Sequence, residues 1–176
     1  MADETSETTA QPGFDLEKVA QFQRELERQQ NLPMALLAGV TAAVVGGGLW
    51  AAITLATNYQ IGWMAVGVGF LVGYAVRVAG KGVTPIYGVI GAVCALLGCL
   101  LGNFFTGIEV LAQHLSISEM QVISHMTPEL AFEMMKETFS GMDLLFYGIA
   151  VYEGFKLSTR KATPEELAAL QTTTAA

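Results

Sequence analysis

The sequence predicts an all-α integral membrane protein: four transmembrane helices, with short amphipathic helices at the N-terminus and between spans three and four. Three observations carry this expectation. The 176 residues are 52% apolar but only 14% charged, where soluble domains carry about 25% charge. Between Asn31 and Ile108 the only Asp, Glu, Lys or Arg residues are Arg77 and Lys81, too few to cover a surface that faces water. The apolar runs also match a bilayer, whose ~30 Å of hydrocarbon takes about 20 helical residues. A soluble globule, a disordered tail protein and a nucleic-acid binder are excluded; no basic patch with interleaved aromatics supplies the footprint a nucleic acid needs. The net charge of −7 resides mostly in the two tails and in the 109–140 segment.

The elements follow in chain order. Residues 1–33 form a polar, acidic segment without the charged-then-apolar onset of a signal peptide, so it is expected to stay on the protein in the cytoplasm. Within it, 14–30 has the period of an amphipathic helix, with Phe14, Val19, Phe22 and Leu26 near one stripe; such a helix lies on the membrane surface or pairs with another helix. Met34 to Thr57 is the first span, free of charge, with Pro33 in its first turn where a missing N–H costs nothing. Thr57-Asn58-Tyr59-Gln60 is a polar turn, and Tyr59 and Trp63 mark an interface. The second span covers about 61–79, meets Arg77 near its end and breaks at Gly80-Lys81-Gly82. The third covers about 85–108, opened by Thr84-Pro85.

Residues 109–138 are expected as an external amphipathic segment. Ser116-Ile117-Ser118-Glu119 fits a capping box opening one short helix, and Thr127-Pro128-Glu129 fits the start of another. Met120, Met126, Met134, Met135 and Met142, in or beside this segment, are five of the eight methionines. Methionine-rich faces suit either a binding partner or the headgroup region. The fourth span, about 139–157, is interrupted by Asp143 and Glu153. The excess of basic residues on cytoplasmic loops argues for it: with four spans and the N-terminus inside, eight of the nine Lys and Arg residues are cytoplasmic. Residues 158–176 are then a cytoplasmic tail, in which Pro164-Glu165-Glu166-Leu167 can begin one helical turn.

In lipid, small residues that let backbones approach do much of the packing. Gly88, Gly91, Ala95, Gly98 and Gly102 are spaced three, four, three, four along span three and form one seam. Ala65, Gly69, Gly73 and Arg77 recur every four residues on span two, and Ala38, Ala42 and Gly46 on span one. These seams either close the bundle internally or join it to other chains.

Charges within spans are costly and usually face a partner or a cavity. Arg77 and Glu153 fall near the same inner interface and are expected to pair; the alternative is an ion or proton relay through Arg77, Glu153 and Asp143. Lys81 does not meet the phosphate-loop spacing and reads as a snorkelling lysine in a tight turn. Cys94 and Cys99 lie about 140° apart on a helix and read as small buried hydrophobes. His114 and His125, eleven residues apart with no cysteine near them, are not expected to bind a metal.

At Gly67-x-Gly69-x-x-x-Gly73-x-x-x-Arg77-x-x-Gly80-Lys81-Gly82, followed by a glycine-rich span, the chain resembles a group of uncharacterised small bacterial inner-membrane proteins with a glycine-rich four-helix core. The likeness covers spans two and three and extends to Asp143-Leu144-Leu145-Phe146 in span four. Some members carry an N-terminal zinc ribbon; this chain has no Cys-x-x-Cys, so no zinc role is implied. The resemblance implies a bacterial plasma membrane and brings no activity with it.

No catalytic constellation and no cofactor fingerprint are present, so neither an enzyme nor a cofactor is expected. Beyond the lipid bilayer, the expected partner is a second copy or another membrane protein. The chain is read as a non-catalytic scaffold or accessory subunit of a membrane complex, with a small homo-oligomeric channel or transporter as the alternative.

Overall fold

The computed structural model describes residues 16–57 and 62–170. Phe14, Ile61, the Asn58-Tyr59-Gln60 turn and both extreme tails lie outside the described residues. The order is α1 (Leu16–Gln29), α2 (Leu32–Thr57), α3 (Trp63–Gly80), α4 (Pro85–Leu115), α5 (Glu119–Ser124), α6 (Pro128–Thr138), α7 (Gly141–Leu157) and α8 (Pro164–Ala169), with no strand among the described residues. Helices α2, α3 and α4 are long and apolar enough to cross a membrane.

The chain divides into two units, residues 1–29 with 161–176, and residues 30–160. In the first, α1 carries Val19, Phe22 and Leu26 half-buried along one side, with Glu17, Arg24, Glu25 and Arg28 exposed. Helix α8 opens on a reciprocal cap: Thr163 Oγ1 accepts from the Glu166 N–H at 3.2 Å, and Glu166 Oε2 accepts from the Thr163 N–H at 2.8 Å.

The second unit is a bundle whose directions follow from which glycines meet which neighbours. Gly39 lies against Val76, and Gly46 against Val68 and Leu71, so α2 and α3 are antiparallel. Gly39 also meets Cys94, Gly47 meets Gly98 and Gly102, and Gly102 meets Trp50, so α2 and α4 run parallel. Gly62, Gly69 and Gly73 meet Phe146, Ala150 and Leu157 in turn, so α7 runs parallel to α3. The Tyr147 hydroxyl at the Cys99 carbonyl and Gly154 against Gly91 set it antiparallel to α4. Helices α3 and α4 pack on each other and on both outer helices. The outer pair, α2 and α7, meet through Trp50 and Tyr147, whose rings stand edge to face at 6.2 Å.

Helix termini explain where the chain turns. The Asn31 side chain accepts from the Met34 N–H at 3.0 Å, and the Asn31 N–H donates to the Gly80 carbonyl at 2.9 Å, which ties the start of α2 to the end of α3. At the Gly80-Lys81-Gly82 break the left-handed residue is the lysine, with φ 48°, and its N–H donates to the Arg77 carbonyl at 3.0 Å. The two glycines serve space instead. A Cβ on Gly80 would sit 2.6 Å from the Ala35 methyl, and one on Gly82 would fall within the Tyr87 ring.

Two expectations need correction. The third hydrophobic stretch does not end its helix at 108: α4 continues to Leu115, where Ser116 turns left-handed at φ 54°. Glu109 ends an apolar span but not a helix, and the Gln113 side chain donates to Glu109 Oε1 one turn on at 2.9 Å. Residues 109–115 therefore belong to α4. In consequence the cap of α5 is Ser118 with Gln121, not Ser116 with Glu119. The spacing is met twice, and Ser116 is used to terminate α4. Thr127 caps α6 as expected, its Oγ1 accepting from the Leu130 N–H at 3.2 Å.

The turn yields a paired prediction. Lys81→Gly relieves the left-handed strain and raises stability in detergent by roughly 0.5–1 kcal/mol. Gly82→Ala, at a residue without a positive φ but blocked by the Tyr87 ring, lowers it by about 1–3 kcal/mol. Thermal melts of both variants check the opposite signs.

Candidate functional site

All seven predicted seam residues lie at helix contacts. A Cβ on Gly69 would stand 2.5 Å from the Ala150 carbonyl oxygen and 2.8 Å from its Cα. One on Gly73 would meet the Leu157 Cβ at 2.8 Å, and one on Gly91 would overlap the Ser158 hydroxyl and the Gly154 carbonyl. Gly88 supports the Phe155 ring, and Ala95 lies 2.8 Å from where a Gly154 Cβ would be. Farther along α4, Gly98 meets Val68 and the Ala43 backbone, and Gly102 meets Trp50. The stripe on α4 thus serves several neighbours rather than one. Its first three members face α7, Gly98 meets α3 and α2, and Gly102 faces α2.

Arg77 and Glu153 are not brought together. Among the described residues they share no hydrogen bond or ion pair. Gly73 lies between the Leu157 Cβ and the Glu153 and Gly154 carbonyls, and Arg77 stands about one turn, roughly 5.4 Å, farther along α3. Both side chains are only half-buried, and neither faces the desolvation that forces a deeply buried charge to pair. Asp143 has a different task. Its Oδ2 accepts from the Ser140 N–H at 2.7 Å and from the Ser140 hydroxyl at 3.0 Å, which caps α7. Ten residues separate it from Glu153, about 15 Å of helix.

The cysteines diverge as their spacing requires. Cys94 lies against Gly39 of α2, and the Cys99 thiol points to the Ala65 carbonyl of α3 at 3.9 Å. Both are buried and free.

A feature that the sequence did not single out is a polar layer near one end of the bundle. Trp50 is fully buried, with its indole N–H unpartnered, and the buried Thr54 hydroxyl is unpartnered too. Asn103 is 1% exposed. Thr106 donates to the Gly102 carbonyl at 2.8 Å, and the Tyr147 hydroxyl reaches the Cys99 carbonyl at 3.3 Å. Since Trp50 is level with Gly102, Thr54 and Thr106 share the next turn. Thr54, Asn103 and Thr106 were legible as polar residues in apolar runs, but only the parallel pairing of α2 with α4 collects them. Thr41, also on α2, is exposed and donates to its own helix at the Leu37 carbonyl.

Toward the far end of α4, Ile108 and Ala112 pack with Val122 of α5 and Met134 of α6 in a second apolar cluster. Here Glu119 of α5 is held above the ordinary carboxylate range, first by a side-chain hydrogen bond with Glu109 and then by the Glu109 charge. His125 is engaged locally, its Nδ1 2.9 Å from the Gln121 carbonyl. Among the described residues no group of three or more His, Cys, Asp or Glu side chains is placed to hold a metal.

No protein-family model, curated protein or solved structure matches this chain.

Two predictions follow from this packing. Gly69→Ala destabilises the bundle by about 1–3 kcal/mol, because the methyl meets the α7 backbone. Gly67→Ala, at a position with nothing within 4 Å, leaves stability unchanged or slightly raised; detergent melts of the two distinguish them. The Glu119 carboxyl titrates above the ordinary glutamate value of 4.5. Because its folded value is raised, the contact it makes is strongest below that value and weakens as pH rises through the raised one. Carbon-detected NMR should show the shift, and Glu109→Ala should return Glu119 toward the ordinary value.

Proposed function

We propose that this protein is a non-catalytic, four-span scaffold or accessory subunit of a membrane complex, with α7 as the fourth span and both termini in the cytoplasm. Helix α7 has 17 residues, close to the length a bilayer requires, and it runs the length of α3 between Gly62 and Gly73. Arg77, Lys81, Lys156 and Arg160 gather at one end of the bundle, where the Arg160 N–H donates to the Gly82 carbonyl at 2.8 Å. A basic end is the one retained on the cytoplasmic side. With the likeness noted in the sequence, the membrane is the bacterial plasma membrane.

The observation that carries the scaffold reading is how the interior is filled. Between the polar layer and the basic end, the bundle axis is closed by Ala43, Val68, Val72, Ala95 and Ala150, all buried. Among the described residues no polar side chain crosses that stretch, and a conduction path needs polar groups or a wetted constriction along its length. The glycine-mediated contacts make the unit rigid. They also occupy the α3 and α4 seams within the chain, which leaves docking to the outer faces. One such face is an apolar groove of about 430 Å³ between α2 and α3, lined by Leu37, Ala38, Ala42, Val45, Leu71 and Ala75. Small residues at its base admit the close approach of a further helix.

The polar layer favours a second reading, a homo-oligomeric channel or transporter in which copies complete a path. Native mass spectrometry of protein gently extracted from its own membrane tests both. A mass containing a second kind of polypeptide is the expected result and identifies the complex. A whole multiple of 18.7 kDa with nothing else bound overturns the scaffold reading in favour of self-assembly.

A further inference from the structure

Helix α6 lies across the last turns of α4, and the two touch so closely that a Cβ on Gly107 would stand 3.0 Å from the Met134 side chain. On one flank of this crossing α5 packs into the angle, with Val122 buried against the cluster and a smaller cavity of about 250 Å³ beside it. The other flank is left open as a cavity of about 420 Å³. Its floor is apolar, made by Gly107, Val110 and Leu111 of α4 with Leu130 and Met134 of α6. Glu133 and Glu137, one turn apart on α6, line it as well and are exposed, and His114 borders it from α4.

Size and charge together define an occupant. The volume falls in the range of small-molecule sites, about 300–1,000 Å³. The α4 wall from Gly107 to His114 is only about 10 Å long, too short to seat a partner helix. Glu129, Glu133 and Glu137 repeat every four residues along α6, a like-charge stripe that works against the helix. From 109 to 140 the chain has five glutamates and one lysine, a net −4 by those residues. The lysine, Lys136, lies 6.0 Å over the Phe132 ring and is not among the residues that line the cavity. An apolar cleft edged by carboxylates concentrates cations, and a bound positive charge relieves the repulsion along the stripe. We propose that this cavity binds a lipophilic organic cation, its apolar body between α4 and α6 and its charge at Glu133 and Glu137. The site is independent of the scaffold reading and stands or falls separately from it.

The test uses the full chain in nanodiscs of zwitterionic lipid, with empty discs as reference. The probes are tetraphenylphosphonium and tetraphenylborate, alike in shape and opposite in charge, followed by equilibrium dialysis. Saturable, one-to-one uptake of the phosphonium above the empty discs is expected, without matching uptake of the borate. Val110→Trp fills the cavity from a partly exposed position and should abolish that uptake. The E133Q/E137Q double variant should weaken it at least ten-fold. Circular dichroism and melting of both variants establish that they are folded, and their altered positions lie outside the core. Uptake no greater than that of empty discs, equal binding of the two ions, or phosphonium binding unchanged in either variant would overturn the proposal.

Discussion

Three helices of this protein approach one another so closely that a methyl group does not fit between them. Gly69 and Gly73 of α3, Gly91 of α4 and Gly154 of α7 all stand where an added Cβ would meet a backbone carbonyl or the first carbon of a side chain at under 3 Å. In lipid there is little hydrophobic gain from bringing helices together, so stability rests on the number of atoms in contact. Each contact is worth only ~0.1–0.2 kcal/mol, and the total depends on the closeness that glycine allows. The rest of the bundle follows from this constraint. With α3 and α7 locked parallel by Gly62, Gly69 and Gly73, the register between them is set, and with it the height of every residue on α7.

Arg77 of α3 and Glu153 of α7 do not pair, and neither is buried deeply enough for its charge to require a partner. The close glycine-mediated contacts of α3 with α7 set the heights of both residues, with Arg77 about one turn beyond Glu153. Exposed ion pairs are worth about 0–1 kcal/mol, less than the cost of pulling such contacts apart. Asp143, which disturbs the hydropathy of the fourth hydrophobic stretch, is accounted for locally. It caps α7 through Ser140, and a carboxylate in the first turn is favoured there by the helix dipole.

The same geometry divides the interior into an apolar part and a polar part. Where α2, α4 and α7 converge on Trp50 and Tyr147, the indole and the Thr54 hydroxyl are buried without partners, a cost of about 1–3 kcal/mol per group. The aromatic packing around them offsets part of it. Trp50 fills the space that Gly102 leaves and meets Tyr147 edge to face, an arrangement worth about 0.5–1.5 kcal/mol beyond the area it buries. The apolar closure from Ala43 to Ala150 supports the proposal of a docking unit over that of a conduit.

The sequence by itself determined the helical class, the three long apolar helices, the fourth hydrophobic stretch and the positions of the close-packing residues. Each of these depends on local composition and on a spacing of three or four residues that a helix converts into one face. It also showed that Cys94 and Cys99 would part, since 100° per residue decides that. The end of α4 was not legible, because Glu109 marks the limit of an apolar run and the helix ends only where Ser116 turns left-handed. Nor was the choice between Ser116 and Ser118 as the cap of α5, which depends on that ending. The absence of an Arg77–Glu153 pair, the division of the α4 stripe among its neighbours, the polar layer and the cavity under α6 were decided by tertiary structure alone. All four are matters of which residues stand level on different helices. That relation is set by contacts between segments far apart in the chain, and no periodicity within one segment records it.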